Sequence, residues 1–209
     1  MSEAPATPPG HWRRNRVLYL LVAVTLAPIL ASYFAYYVSP PSGRTNYGTL
    51  VEPQRPVPAI PATGLDGTAF DLRLLKDKWV LVMADGGACD EYCQSKLFHM
   101  RQQRTMTGKE RDEIERVWFI TDREPLSNAL IREYEGTYFV RVDERDVRPL
   151  LALPDSVDAS LRDHIWVIDP LGNLMLRWPR NPDPKGTKSD IARLLKASSF
   201  WTRVERPKD

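Results

Sequence analysis

Between Arg16 and Arg44 the chain carries no charged side chain, and within that gap residues 17–38 read VLYLLVAVTLAPILASYFAYYV. No other feature restricts the fold as much. As a helix, these 22 residues extend roughly 33 Å at about 1.5 Å each, enough to cross a hydrocarbon core of about 30 Å. Pro28 falls inside the run, and membrane helices tolerate proline because neighbouring groups re-satisfy the freed carbonyl. Arg13, Arg14 and Arg16 precede the run, which predicts a cytoplasmic N-terminus. Trp12 and Tyr19 near one end, and Tyr33, Phe34, Tyr36 and Tyr37 near the other, fit the aromatic belts of the two interfaces. A cleaved signal peptide has a shorter apolar region, about 7–15 residues, and ends in small residues at a cleavage site. This run is longer and closes on tyrosines, so the expectation is an uncleaved single-pass anchor. A mean hydropathy of −0.39 excludes a multi-span protein.

The anchor also accounts for the net charge. The chain holds 29 Lys and Arg against 27 Asp and Glu. Its excess lies within the first 40 residues, where Arg13, Arg14 and Arg16 face only Glu3. The remainder is neutral, so it has no basic surface for nucleic acid. Prolines then set the expected boundaries: residues 1–16 as a cytoplasmic tail, 17–38 as the anchor and 39–57 as a proline-rich tether. Residues 58–202 would form a globular domain of ordinary size, and 203–209 a C-terminal tail.

The pattern within 58–202 alternates strands and helices. Residues 63–72 read as a hairpin about Asp66-Gly67. WVLVMA, residues 79–84, is an apolar run of strand length, as expected for a strand covered on both faces. After Asp85-Gly86-Gly87 a helix is expected over about 89–106, with Cys89, Cys93, Leu97 and Met100 on one face. Further strands are expected at 117–121, 137–142, 165–168 and 174–178, and helical segments at 126–134, 147–151 and 189–197. Right-handed crossovers close this order into an α/β, thioredoxin-like sandwich with a mixed central sheet, preceded by one N-terminal transmembrane helix.

Chemistry concentrates on Cys89 and Cys93, the only two cysteines, which excludes a disulfide-dense scaffold and a four-thiolate metal site. Four residues apart at a helix start, they would either chelate one soft metal ion or close a disulfide. A helix N-terminus favours thiolate, whereas Asp90 and Glu91 disfavour further negative charge, so a strongly activated nucleophile is not expected. A third metal ligand has one candidate. His11 lies across the membrane, and His99, six residues beyond Cys93, points to another side of the helix. His164 opens the strand that a thioredoxin-like sheet brings near the first helix. Two thiolates and an imidazole suit copper, as Cu(I) or Cu(II).

On these residues the chain resembles the Sco/SenC family of membrane-tethered copper proteins: WVLVMA, the C-x-x-x-C of Cys89 and Cys93, and Asp163-His164 opening HIWVIDPLGN. The resemblance covers residues 58–202 together with the anchor. It implies one copper held by Cys89, Cys93 and His164, with Asp163 orienting the histidine from behind. It also implies a role in maturing the copper centre of cytochrome c oxidase, with the copper-bearing subunit or another assembly factor as partner. Family members commonly carry a proline after each cysteine, whereas Asp90 and Gln94 stand here. Bacterial inner-membrane attachment with a periplasmic domain is expected, because the first eleven residues lack transit-peptide character. The competing expectation is a thiol–disulfide oxidoreductase, which needs a reversible cystine but not His164.

Overall fold

The computed structural model describes residues 11–38, 46–156 and 158–205, and it divides into two compact units, 1–45 and 46–209. The expected tail at 1–10, the first half of the tether at 39–45 and the C-terminal residues 206–209 lie outside the described residues. In the first unit, helix α1 (His11–Tyr37) continues through Pro28. Its segment Asn15–Tyr37 is long and apolar enough to cross a membrane, with its side chains exposed.

The second unit is built on eight strands in the order β1-β8-β7-β4-β5-β6-β2-β3. The strands are β1 (Thr49–Pro56), β2 (Ala62–Gly64), β3 (Ala69–Phe70), β4 (Trp79–Asp85), β5 (Ile114–Ile120), β6 (Tyr138–Val142), β7 (Ile165–Ile168) and β8 (Asn173–Trp178). β4, β5 and β6 run parallel, and every other pairing is antiparallel. The sheet is therefore mixed, as expected. All seven residues of β4 are buried because its period-2 alternation serves two cores. Val80, Val82 and Ala84 join Val117, Phe119 and Trp166 on one face, with Val147 and Leu151 over them. Leu81 and Met83 join Trp118, Ile165 and Trp178 on the other. That second face is covered by α2 (Glu91–Met106), through Cys93, Leu97 and Met100, by α3 (Asn128–Glu133), and by α5 (Pro184–Glu205), through Ile191 and Leu195. At the β7–β8 pairing the register slips by one residue between Val167 and Ile168, a bulge that turns Leu174 to the first core while Leu176 and Trp178 serve the second.

Four differences from the sequence expectation have physical causes. Residues 49–56, assigned to the tether by their prolines, form β1 on the sheet edge against β8. An edge strand can carry proline because half of its N–H groups need no ladder partner. Tyr47 and Gly48 just before it donate to the buried Asp190 carboxylate, each at 2.8 Å, which ties the segment to α5. The short helix expected at 147–151 lies earlier, as α4 (Glu144–Val147), capped by Asp143 and stopped where Pro149 offers no N–H. α5 begins five residues before its expected start, at Pro184, where a missing N–H costs nothing. Finally, α2 begins at Glu91, so Cys89 lies outside the helix that was expected to include it.

Candidate functional site

The fourth difference shapes the site. β4 ends on Asp85, and Gly86-Gly87 turn the chain. A Cβ at Gly87 would run into the Glu124 carbonyl, and the Gly87 N–H donates to Asp122 Oδ1 at 2.8 Å, so only glycine fits there. Cys89 follows with φ +45°, a left-handed conformation that costs an L-residue roughly 1–2 kcal/mol. Its N–H is held by the Gly86 carbonyl and its own carbonyl accepts from the Gln94 amide at 3.1 Å. Asp90 caps α2, its carboxylate accepting from the Cys93 N–H at 2.8 Å. Gln94 and Asp90, the two residues standing where prolines are common, thus hold the loop by hydrogen bonds. Cys89 and Cys93 form a disulfide with Cα atoms 5.0 Å apart, and both are buried, at 5% and 0% exposure.

His164 follows a 3₁₀ turn (Leu161–Asp163) and precedes β7. Its Nδ1 lies 2.9 Å from the Trp178 carbonyl. A carbonyl only accepts, so Nδ1 carries the proton and Nε2 keeps its lone pair. Burial pushes the imidazole below its usual 6.5, against the opposing pull of that hydrogen bond, which keeps the ring neutral near pH 7. Trp178 is itself fixed by donation from Nε1 to Asp190 at 3.1 Å. The ring is therefore oriented by a backbone carbonyl, not by Asp163 as the resemblance implied. The Asp163 carboxylate instead faces Arg180 at 3.6 Å, and its carbonyl accepts from the Tyr92 hydroxyl at 2.9 Å. His99 is held apart, against the Thr187 hydroxyl at 3.0 Å.

Sequence reasoning missed the charge beneath the loop. Lys96 is 1% exposed, and its ammonium donates to Asp85 Oδ2 at 2.6 Å, to the Ala84 carbonyl at 3.4 Å and to the Arg162 carbonyl. All three donors are used. One cation on α2 thereby joins the strand end that leads to Cys89 and the turn that leads to His164. Burial pulls the Lys96 pKa down and Asp85 opposes this. The signal was present, since Lys96 lies on the same stripe as Cys93, Leu97 and Met100, but a lysine is ordinarily read as solvent-facing.

Two sulfurs and an imidazole nitrogen are the donor types that Cu(I) prefers. In the disulfide the sulfurs are bonded to each other and neither is a thiolate. Among the described residues, no three His, Cys, Asp or Glu side chains are gathered as a metal cluster. The geometry is that of an oxidised pair, with a neutral histidine whose Nε2 is unprotonated.

A family model described as transmembrane-like, thioredoxin-like, C-terminal domain matches residues 79–198. Among solved structures, apo Sco1 from Thermus thermophilus superposes with a TM-score of 0.55 at 16% identity, covering 73% of this chain and 99% of that one. Copper-bound yeast Sco1 gives 0.52 at 16% identity, with 74% and 95% covered. BsSco, described as a member of the Sco family of cytochrome c oxidase assembly proteins with a disulfide switch, gives 0.51 at 15% identity, with 69% and 96% covered. A search of curated proteins found no significant match. The expected thioredoxin-like fold is thus shared with Sco structures.

Proposed function

The chain belongs to the transmembrane-like, thioredoxin-like C-terminal domain family, and on that premise we propose that it is a membrane-anchored, Sco-type copper-handling protein. In this reading Cys89 and Cys93 cycle between the disulfide and a thiolate pair that holds copper as cargo with His164 Nε2. The recipient is the copper-bearing subunit of cytochrome c oxidase or another assembly factor. The domain lies on the periplasmic side of a bacterial inner membrane, with residues 1–16 as the cytoplasmic tail. One observation carries the reading: a cystine at the mouth of α2 together with a neutral histidine whose Nδ1 is committed to a carbonyl and whose Nε2 is not. Outer partners of this kind fix the tautomer and aim the ligating nitrogen.

Loading requires reduction first. A partner dithiol delivers two electrons and two protons, becoming a disulfide while Cys89 and Cys93 become thiols. Binding of Cu(I) then releases the two thiol protons. Asp90 and Glu91, next to the pair in sequence, disfavour further negative charge there and so favour a thiolate pair that is neutralised by a cation. The cystine itself favours a second reading, in which the pair reduces cysteines of an exported partner and copper plays no part.

The test is an anaerobic Cu(I) titration of the reduced full chain in neutral detergent, beside Cys89→Ser, Cys93→Ser and His164→Ala. One tightly bound copper per chain, weakened in all three variants, is expected. Loss in the cysteine variants alone removes His164 from the ligand set. No copper binding, with a disulfide that reduces and re-forms reversibly, moves the protein to the thiol-reductase reading.

A further inference from the structure

At the other end of α2 from the cysteines, a cavity of about 260 Å³ is lined by Arg101, Arg104, Thr105, Arg111, Arg116 and Glu135. Arg116 lies within β5 at 3% exposure. Of its five N–H groups, one on Nη2 donates to the Glu135 carbonyl at 2.8 Å, while Nε and Nη1 have no acceptor among the described residues. Leaving charged donors unmet in the interior is costly. Its neighbours aggravate the cost: Arg104 and Arg101 both push its charge in the unfavourable direction, and only Glu115 pulls the other way.

The nearby carboxylates do not fill the gap. Asp112 pairs outward with Arg104 at 3.4 Å and Arg111 at 3.6 Å and is 75% exposed. Glu133 meets Arg101 at 3.6 Å and is 54% exposed. Glu135 contributes its carbonyl. Arg104 keeps Nε on the Ile114 carbonyl at 2.8 Å, and the Arg101 guanidinium lies over Tyr134 at 5.0 Å. These contacts fix both arginines at the rim. The result is a concave site with four guanidinium groups and an inner pair of donor nitrogens, carrying three N–H groups, that no oxygen of the described residues meets.

We propose that this cavity binds a phosphate-type dianion, either as inorganic phosphate or as the phosphomonoester headgroup of a lipid. Guanidinium presents a planar fork of donors that matches phosphate oxygens two at a time. A tetrahedral dianion can accept from Arg116 at its base and from Arg104 and Arg111 at its rim together, which a single carboxylate cannot. The volume leaves room for a substituent on one oxygen.

The test uses the full chain in neutral detergent, titrated calorimetrically with inorganic phosphate. Saturable one-to-one binding is expected with a Kd below about 1 mM, weakened at least tenfold in Arg116→Gln. Because Arg116 is buried, the more exposed positions are tested as well: Arg104→Gln and Arg111→Gln should each weaken binding several-fold, with the melting temperature of the ligand-free chain checked for each. Phosphatidic acid that displaces phosphate, where phosphatidylcholine does not, identifies a headgroup. Displacement by neither identifies free phosphate. Absence of saturable binding to the folded chain, or unchanged binding in the Arg104 and Arg111 variants, overturns the proposal.

Discussion

Asp85→Asn isolates the charge buried beneath the cystine loop. Lys96 and Asp85 have side chains 1% and 8% exposed, with 2.6 Å between Nζ and Oδ2. The substitution keeps the shape and removes the one carboxylate that the ammonium touches, leaving it two carbonyls and only the weaker pull of Asp163 and Asp90. Breaking a buried pair from one side costs about 3–5 kcal/mol, because the remaining charge has already lost its water. At a slope of about 2 kcal/mol per molar urea, the unfolding midpoint of residues 46–209 should fall by roughly 1.5–2.5 M. The loss depends on pH in a definite direction. Burial already holds the Lys96 pKa below 10.5, so the unfolded chain binds the extra proton in that window and stability rises with pH there. Without Asp85 the folded pKa drops further. The variant therefore regains stability from a lower pH than the parent, and the gap between them narrows as pH climbs toward 10.5. Adding Lys96→Met removes the stranded charge and should recover most of the loss, since a packed apolar pair is often as stable as a buried ion pair. Urea unfolding of the four proteins in this cycle at neutral and alkaline pH reads all of it. A cost below about 1 kcal/mol for Asp85→Asn, or a gap that ignores pH, refutes the reasoning.

After reduction, limited alkylation read by mass spectrometry should modify Cys89 before Cys93, because they are 5% and 0% exposed and the attacking sulfur must be reached; equal rates would refute this. Burial lowers the pKa of both His99 and His164 from 6.5, so the stability tied to their neutral forms is complete above 6.5 and is lost as pH falls through that value toward the lower folded ones. Denaturation between about pH 5 and 8 should show this fall, flattened in His99→Gln and His164→Gln. Asp190→Ala strands the N–H groups of Tyr47 and Gly48 and the Trp178 indole. At about 1–3 kcal/mol for each unmet buried donor, the substitution should lower the stability by at least about 3 kcal/mol, with the Trp178 signal lost from near-ultraviolet circular dichroism. A cost under about 1 kcal/mol would show that the edge strand does not depend on this carboxylate.

What the sequence reveals of this molecule follows from which groups leave a local trace. β4 was legible because a strand covered on both faces must be apolar throughout, and WVLVMA can be little else. The C-x-x-x-C pair, which closes a disulfide, was legible because few residue types carry that chemistry. β1 was hidden because proline signals a linker wherever an edge position does not excuse it. The carbonyl of Trp178 that aims His164 was hidden for a different reason: every residue has a carbonyl, and only the β7–β8 pairing chooses this one. Lys96 was hidden by its own residue type, since a charged side chain on an apolar stripe reads as an interruption until its acceptors, which come from distant segments, are in place.

Lys96 also supplies the comparison by which Arg116 is judged. Both are buried cations in one domain, at 1% and 3% exposure, and both have pKa values lowered first by burial. Lys96 has an acceptor for each of its three donors, one of them a carboxylate. This fold thus brings full compensation to a buried charge where the charge serves the protein alone. Arg116 has one carbonyl and two neighbouring arginines, with only Glu115 pulling the other way and no carboxylate bonded to it. A structural arginine under the same constraints would gain from a carboxylate at either rim position, yet the rim is itself cationic. The deficit at Arg116 is therefore shaped for an acceptor from outside. Arg104 lies eleven residues beyond Cys93 along α2, about 16 Å at helical rise, and no ion pair of the described residues links the two ends. Reducing the cystine should accordingly leave phosphate affinity unchanged, and occupancy of the arginine cavity should leave the copper binding proposed for the cysteines unchanged.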